Sequence, residues 1–136
     1  MNACYHPQLS FTDPAFGQLN YRQTCAMWAM LCASATDLTI GFTVLKATEE
    51  GVETRWLADY TFGKTGRKVQ NNIIARMTIR EGKIICHTDD FNLHKWARQA
   101  LGLQGWLFGG TAYFKRKLHL QTNRQLARFM QKHPAG

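Results

Sequence analysis

The chain has 136 residues, 45% hydrophobic and 19% charged, a composition that fits one compact domain with a real core and not a disordered segment. No apolar run approaches the ~18 residues of a membrane span. The start, Met1-Asn-Ala-Cys-Tyr-His-Pro7, lacks the basic end and apolar stretch of a secretory signal, so a cytoplasmic protein is expected. The net charge of +8 is confined to the end: residues 1–90 hold nine basic and nine acidic side chains, residues 91–136 eight Lys or Arg and no Asp or Glu.

Gln8 to Phe11 reads as a short strand, ended by Asp13-Pro14. Asn20 or Thr24 opens a helix through Ala35. Its positions Met27, Met30 and Leu31, flanked by Cys25, Trp28 and Cys32, suit a wide buried face, and Thr36-Asp37 stops it. Four strand-like runs follow: Leu38 to Thr48, Val52 to Phe62, Lys68 to Arg80 and Lys83 to Phe91. Turns at Glu49–Gly51, Gly63–Gly66 and Glu81–Gly82 separate them, which predicts a meander of long antiparallel strands. Asn92 caps a helix over Leu93–Leu101 that Gly102 ends. Gly105 to Gly110 reads as an apolar, glycine-rich link. Thr111 caps a basic helix to about Lys132, with Phe114, Leu118, Leu126, Phe129 and Met130 as its apolar positions. A helix followed by a curved four-stranded sheet is an α+β architecture.

Four cysteines, Cys4, Cys25, Cys32 and Cys86, are scattered without a CxxC pair, and buried, reduced thiols are expected. The most informative run is Lys83 to Phe91. Residues two apart in a strand share a face, so Ile85, His87, Asp89 and Phe91 line one side. An imidazole and a carboxylate among apolar neighbours cost free energy unless they are paired or used. Asn71, Tyr60 and Trp56 fall on the same side. Asn71 brings a donor and an acceptor, and Tyr60 a phenol. Asp13 before Pro14 suits a turn. Trp28, Met27 and Met30 suit core packing. His6, His87, His94, His119 and His133 show no metal-ligand spacing. Gly63-Lys-Thr-Gly-Arg67 lacks the full phosphate-loop pattern and joins two strands, and no GxGxxG or GxSxG occurs.

Phe11-x-Asp13-Pro14-x-Phe16 followed by Trp28 resembles the opening of the nuclear-transport-factor-2-like superfamily, in its SnoaL-like branch. Trp56-x-Ala58-x-Tyr60-x-Phe62 and Gly66-Arg67-x-Val69-x-Asn71-x-Ile73-x-Ala75 are similar to its central hairpin. His87-x-Asp89-x-Phe91 with Trp96-Ala97-Arg98-x-Ala100-Leu101-Gly102 resembles its last strand and following helix. The resemblance runs from about Tyr5 to Gly110. It implies one SnoaL-like domain over residues 1–136, with a core match over 1–110 and the basic helix 111–133 appended.

The fold implied is a cone-shaped α+β roll, cystatin-like, in which a curved antiparallel sheet wraps helices around one deep apolar cavity. The family begins with a long helix ahead of Cys4-Tyr5-His6-Pro7, of which only the last residues fit in this chain. Its members include ketosteroid isomerases, polyketide cyclases and scytalone dehydratase, and many dimerise through the sheet. Carried onto this chain, the resemblance implies Asp89 as acid/base with His87 as its partner. Asn71, Tyr60, Trp56, Trp28 and Phe91 then line the ligand site, and Asp13 and His6 lie near its mouth. The expected ligand is an apolar molecule bearing a carbonyl or hydroxyl. The expected chemistry is cofactor-free, metal-free isomerisation, cyclisation or hydration, and the expected partner is a second copy through the sheet. The rival expectation is a non-catalytic module whose basic helix, residues 111–133, docks on an anionic membrane surface or an acidic partner. Nucleic acid is disfavoured, because that helix has few aromatics for base stacking and no known binding motif.

Overall fold

The computed structural model describes residues 2–34 and 36–133. A 3-10 turn (Asn2–Cys4) leads into β1 (Tyr5–Asp13), β2 (Gly17–Leu19) and α1 (Tyr21–Ser34). The meander follows as β3 (Thr39–Ala47), β4 (Gly51–Phe62), β5 (Arg67–Arg80) and β6 (Lys83–Asp90). Three helices end the chain: α2 (Leu93–Leu101), α3 (Leu103–Phe108) and α4 (Ala112–Lys132).

The alternating runs between residues 39 and 90 make the expected antiparallel meander, and the tight β5–β6 turn uses positive φ at Glu81 and Gly82. The N-terminal strand is longer than Gln8–Phe11 and is not isolated. It pairs parallel to β6 and antiparallel to the short β2, giving one six-stranded sheet of order β2-β1-β6-β5-β4-β3. Pro7, which has no N–H to give a ladder, sits where the β1–β6 register shifts between Tyr5 and Ser10. The sheet is curved and open, and the helices pack on one side of it.

Asn20 caps α1 reciprocally: its side chain accepts from the Gln23 amide while the Gln23 side chain accepts from the Asn20 amide. Helix α1 packs on β1, β2 and α4. Tyr5, Leu9, Phe11, Phe16, Leu19, Met27 and Leu126 form the core cluster there. The expected wide buried face of α1 is narrower than its composition suggests. Thr24 and Met27 are buried, but Leu31 and Cys32 are exposed, because the last turns run past the elements that cover the first. The end proposed at Ala35 lies outside the described residues. The cysteines also depart from expectation: Cys4, Cys32 and Cys86 are exposed and Cys25 is half-buried.

Residues 105–110 are not a link. Helix α3 lies so close to α2 that a Cβ on Gly105 would collide with the Ala97 carbonyl, and one on Gly109 with Gly105 and Ala97. Helix α4 is capped by Thr111, whose side chain accepts from the Phe114 amide. It is tied to the turn after β1 by His119 Nε2 to the Pro14 carbonyl at 2.7 Å, and by Thr122 to Ala15 and Asn123 to Phe16. No helix among the described residues is long and apolar enough to cross a membrane.

Candidate functional site

Register carries the site. Partners across neighbouring strands point to one face. Phe11 pairs with His87, and Asp89 with Ala75, which in turn pairs with Thr54. Farther along β5, Ile73 pairs with Trp56, Asn71 with Ala58 and Val69 with Tyr60. His87, Asp89, Trp56, Asn71 and Tyr60 therefore share the helix-facing side of the sheet. One position past the Thr12–Thr88 pair, Asp13 and Asp89 emerge there side by side. Phe91, just past the end of β6, is half-buried.

Strand alternation brings His87 inward, where Phe11 meets its ring edge-on at 5.0 Å between centroids. Both its nitrogens are bonded: Nδ1 to the Tyr5 hydroxyl at 2.9 Å and Nε2 to Asp89 Oδ1 at 2.7 Å. Trp28 Nε1 donates to the Tyr5 oxygen at 3.0 Å. Burial, partly opposed by the Trp28 hydrogen bond, pushes the Tyr5 hydroxyl well above the ordinary phenol range, so it stays protonated and donates. One directional chain follows: Trp28 donates to Tyr5, Tyr5 to His87 Nδ1, and His87 Nε2–H to Asp89. Its far end is open. Asp89 Oδ2 has no hydrogen bond among the described residues, and the Asp89 side chain keeps 10% of its surface accessible where His87 keeps 1%.

Asp13 uses Oδ1 to accept from the amides of Ala15 at 3.0 Å and Phe16 at 2.6 Å, which folds the turn its sequence suggests. Burial, opposed by the Phe16 amide and reinforced by the charge of Asp89, raises its pKa to about 6. His6 is not its neighbour. It pairs with Glu81 in the β5–β6 turn at the other end of the sheet, because β1 runs the full length of β6.

Trp56 Nε1 is buried without a partner. Tyr60 accepts from Trp96 Nε1 at 2.8 Å, and burial raises its hydroxyl pKa. Its partner Val69 lies six residues along β5 from Ala75, roughly 20 Å in an extended strand. Trp56 and Asn71 stand between Tyr60 and Asp89. Trp28 both packs, edge-on to Phe11, and anchors the chain. Tyr5 is the member that sequence reasoning missed. Two open hollows lie elsewhere: a groove of about 890 Å³ between α4 and Lys64, and one of about 270 Å³ beside Tyr60. Neither is lined by His87 or Asp89.

A curved open sheet closed on one side by helices, with buried polar side chains on that side, defines the α+β fold shared by nuclear-transport-factor-2-like and ketosteroid isomerase-like proteins. Residues 1–87 match the family model described as a SnoaL-like domain, and the chain belongs to that family. Similar solved structures include IdmH from Streptomyces antibioticus, a candidate polyketide cyclase. It is 19% identical over 74% of this chain and 84% of that one, with a TM-score of 0.60. A candidate SnoaL-like polyketide cyclase from Jannaschia sp. CCS1 is 14% identical over 71% and 73%, with a TM-score of 0.62. A protein of ketosteroid isomerase-like fold from Catenulispora acidiphila, solved with trimethylamine, is 13% identical over 73% and 78%, with a TM-score of 0.58. At these identities the likeness is one of fold. A search of curated proteins yields no match in sequence.

Proposed function

We propose that the chain binds a small, largely apolar molecule bearing a carbonyl or hydroxyl against the helix-facing side of β4, β5 and β6, and moves a proton on it. The observation that carries this reading is the free Oδ2 of Asp89, beside an Oδ1 held by His87. In isomerisation or aldol-type cyclisation the carboxylate takes a proton from a carbon next to the ligand carbonyl and returns it elsewhere on the ligand; in hydration it takes the proton from the attacking water and delivers it to that carbon. His87 fixes the carboxylate and is itself fixed by Tyr5. The unpartnered Trp56 Nε1, which costs about 1–3 kcal/mol while it stays so, supplies a donor to the ligand oxygen. Asn71 offers a second polar contact, and Phe91 and Trp28 give apolar wall. Tyr60 serves only the far end of an elongated ligand, and Asp13 the rim. No cofactor enters this scheme. The unbridged thiols, three of them exposed, fit a reducing compartment such as the cytoplasm. A second copy of the chain is the proposed partner, along the β3 edge of the sheet.

The test extracts small molecules from protein purified from its native host, identifies them by mass, and returns them to emptied protein in deuterium oxide. Wild type incorporates deuterium. Asp89→Asn keeps the His87 contact and its fold but loses incorporation about 100-fold or more. Equal incorporation in that variant removes Asp89 as the acid/base, and absence of any bound molecule removes the pocket itself.

A second reading has its own observation. One face of α4 presents Arg116, Lys117, Arg124 and Arg128 with Lys64 opposite and no acidic residue among them. That face suits docking on an anionic surface.

A further inference from the structure

Helix α3 has an unusual surface for a six-residue helix. Leu103, Trp106, Leu107 and Phe108 are exposed at 71, 53, 53 and 58%. The reason is local. Gly105 and Gly109 turn the bare backbone toward Ala97 of α2, so the bulky side chains have only the outer face left. The placement is held, not frayed: His94 Nε2 bonds the Trp106 carbonyl at 2.7 Å, and the Gly109 amide closes on Gly105 at 2.8 Å.

Along the helices that carry and flank this apolar face the charge has one sign. Helix α2 exposes Lys95 and Arg98, and the first turns of α4 expose Lys115, Arg116 and Lys117. Phe108 and Ala112 are four residues apart, so less than about 15 Å separates the apolar face from the start of α4. Exposed Tyr113 and Leu120 continue the apolar positions among the α4 cations. Residues 91–133 contain no Asp or Glu.

We propose that α3 is a membrane-inserting element: Leu103, Trp106, Leu107 and Phe108 enter the acyl boundary of an anionic bilayer while the flanking Lys and Arg side chains rest on its headgroups. This deepens, and rests on, the docking reading of α4. An acidic protein would satisfy the cations but leave four large apolar side chains in water. An anionic lipid surface takes both at once, in two layers a few ångströms apart. The surface bound is one of lipid, not free phosphate, because the apolar face takes part.

The test uses the full chain with vesicles of phosphatidylcholine, with and without phosphatidylserine, at low salt. Sedimentation reads binding, and tryptophan emission reads insertion. Wild type is expected to bind the phosphatidylserine vesicles with a blue shift that Trp106→Phe largely removes. Trp106→Ser/Phe108→Ser, both exposed and so without cost to the core, should weaken binding about tenfold or more. Lys115→Glu/Arg116→Glu/Lys117→Glu should abolish it. Unchanged binding in the serine variant and no blue shift in wild type, with loss of binding in the charge variant, would keep α4 docking and overturn insertion by α3. No binding even at low salt would overturn both. A solution dimer that shields Trp106 from a soluble quencher would give the α3 face to a second copy and overturn the proposal.

Discussion

Asp13 divides its carboxylate between structure and charge. One oxygen folds the turn after β1, and the group as a whole, buried and beside Asp89, has a pKa of about 6 against 3.8 in the unfolded chain. The native state therefore holds this proton more tightly. Both states hold it at low pH, the unfolded state releases it first as pH rises, and stability falls between about pH 4 and 6. The loss is of order 3 kcal/mol at most. Asp13→Asn keeps the accepting oxygen and removes the charge, so it should flatten this slope. Urea unfolding should then show the variant gaining on wild type at neutral pH but not near pH 4; parallel pH profiles would refute the linkage. At this scale the sequence is legible where neighbours in space are neighbours in number. His87 and Asp89 share a face because a strand alternates, and their bond is local. Tyr5 contacts His87 across 82 residues, and no spacing rule links two such positions.

Helix α3 shows how glycine misleads at the level of the element. Three glycines among apolar residues read as a loose link, and here two of them permit the close approach of two helices. Gly105→Ala pushes a methyl group into the Ala97 carbonyl, so α3 must lift from α2. The expected cost is about 1–3 kcal/mol, with faster amide exchange across residues 103–108 and none added in β5. Gly63→Ala, which meets nothing within 4 Å, is the control. Equal effects at the two positions would count against helix packing as the cause. Strand β2 escaped sequence reading because three residues show no periodicity. Strand β1 runs past both ends of the expected Gln8–Phe11, taking in Pro7 where its register with β6 is irregular.

For the whole molecule, the α+β class and the order of the meander followed from pattern alone, whereas the parallel β1–β6 pair did not, since nothing local encodes which distant strand lies beside β1. The sheet also ends unevenly. The β2 side lies under α1, but every residue of β3 is exposed, with Phe42 at 71% and Ile40 and Val44 at 48 and 52%. Phe42 pairs with Trp56 and Val44 with Thr54, so the bare edge continues the floor on which Asp89 sits. A second copy at β3 would shield that edge and wall the site. Sedimentation should then show a dimer that Phe42→Lys converts to monomer, with Trp56 becoming more accessible to quencher. A wild-type monomer at high concentration would leave the edge to another partner.

The pairing of β1 with β6 has a consequence in time. On the ribosome, Tyr5, Leu9 and Phe11 emerge long before His87 is synthesised, and Leu126 of α4 comes later still. The β3–β6 hairpins hold mostly local contacts and can close early; the N-terminal strand, which β2 and α1 can cover, must wait for β6 to pair with it and for Leu126 to complete its core. The bond from Tyr5 that orients His87 thus waits for β6, and a chain interrupted before α4 would hold every member of the Trp28–Tyr5–His87–Asp89 chain but lack the Leu126 side of the core beneath it.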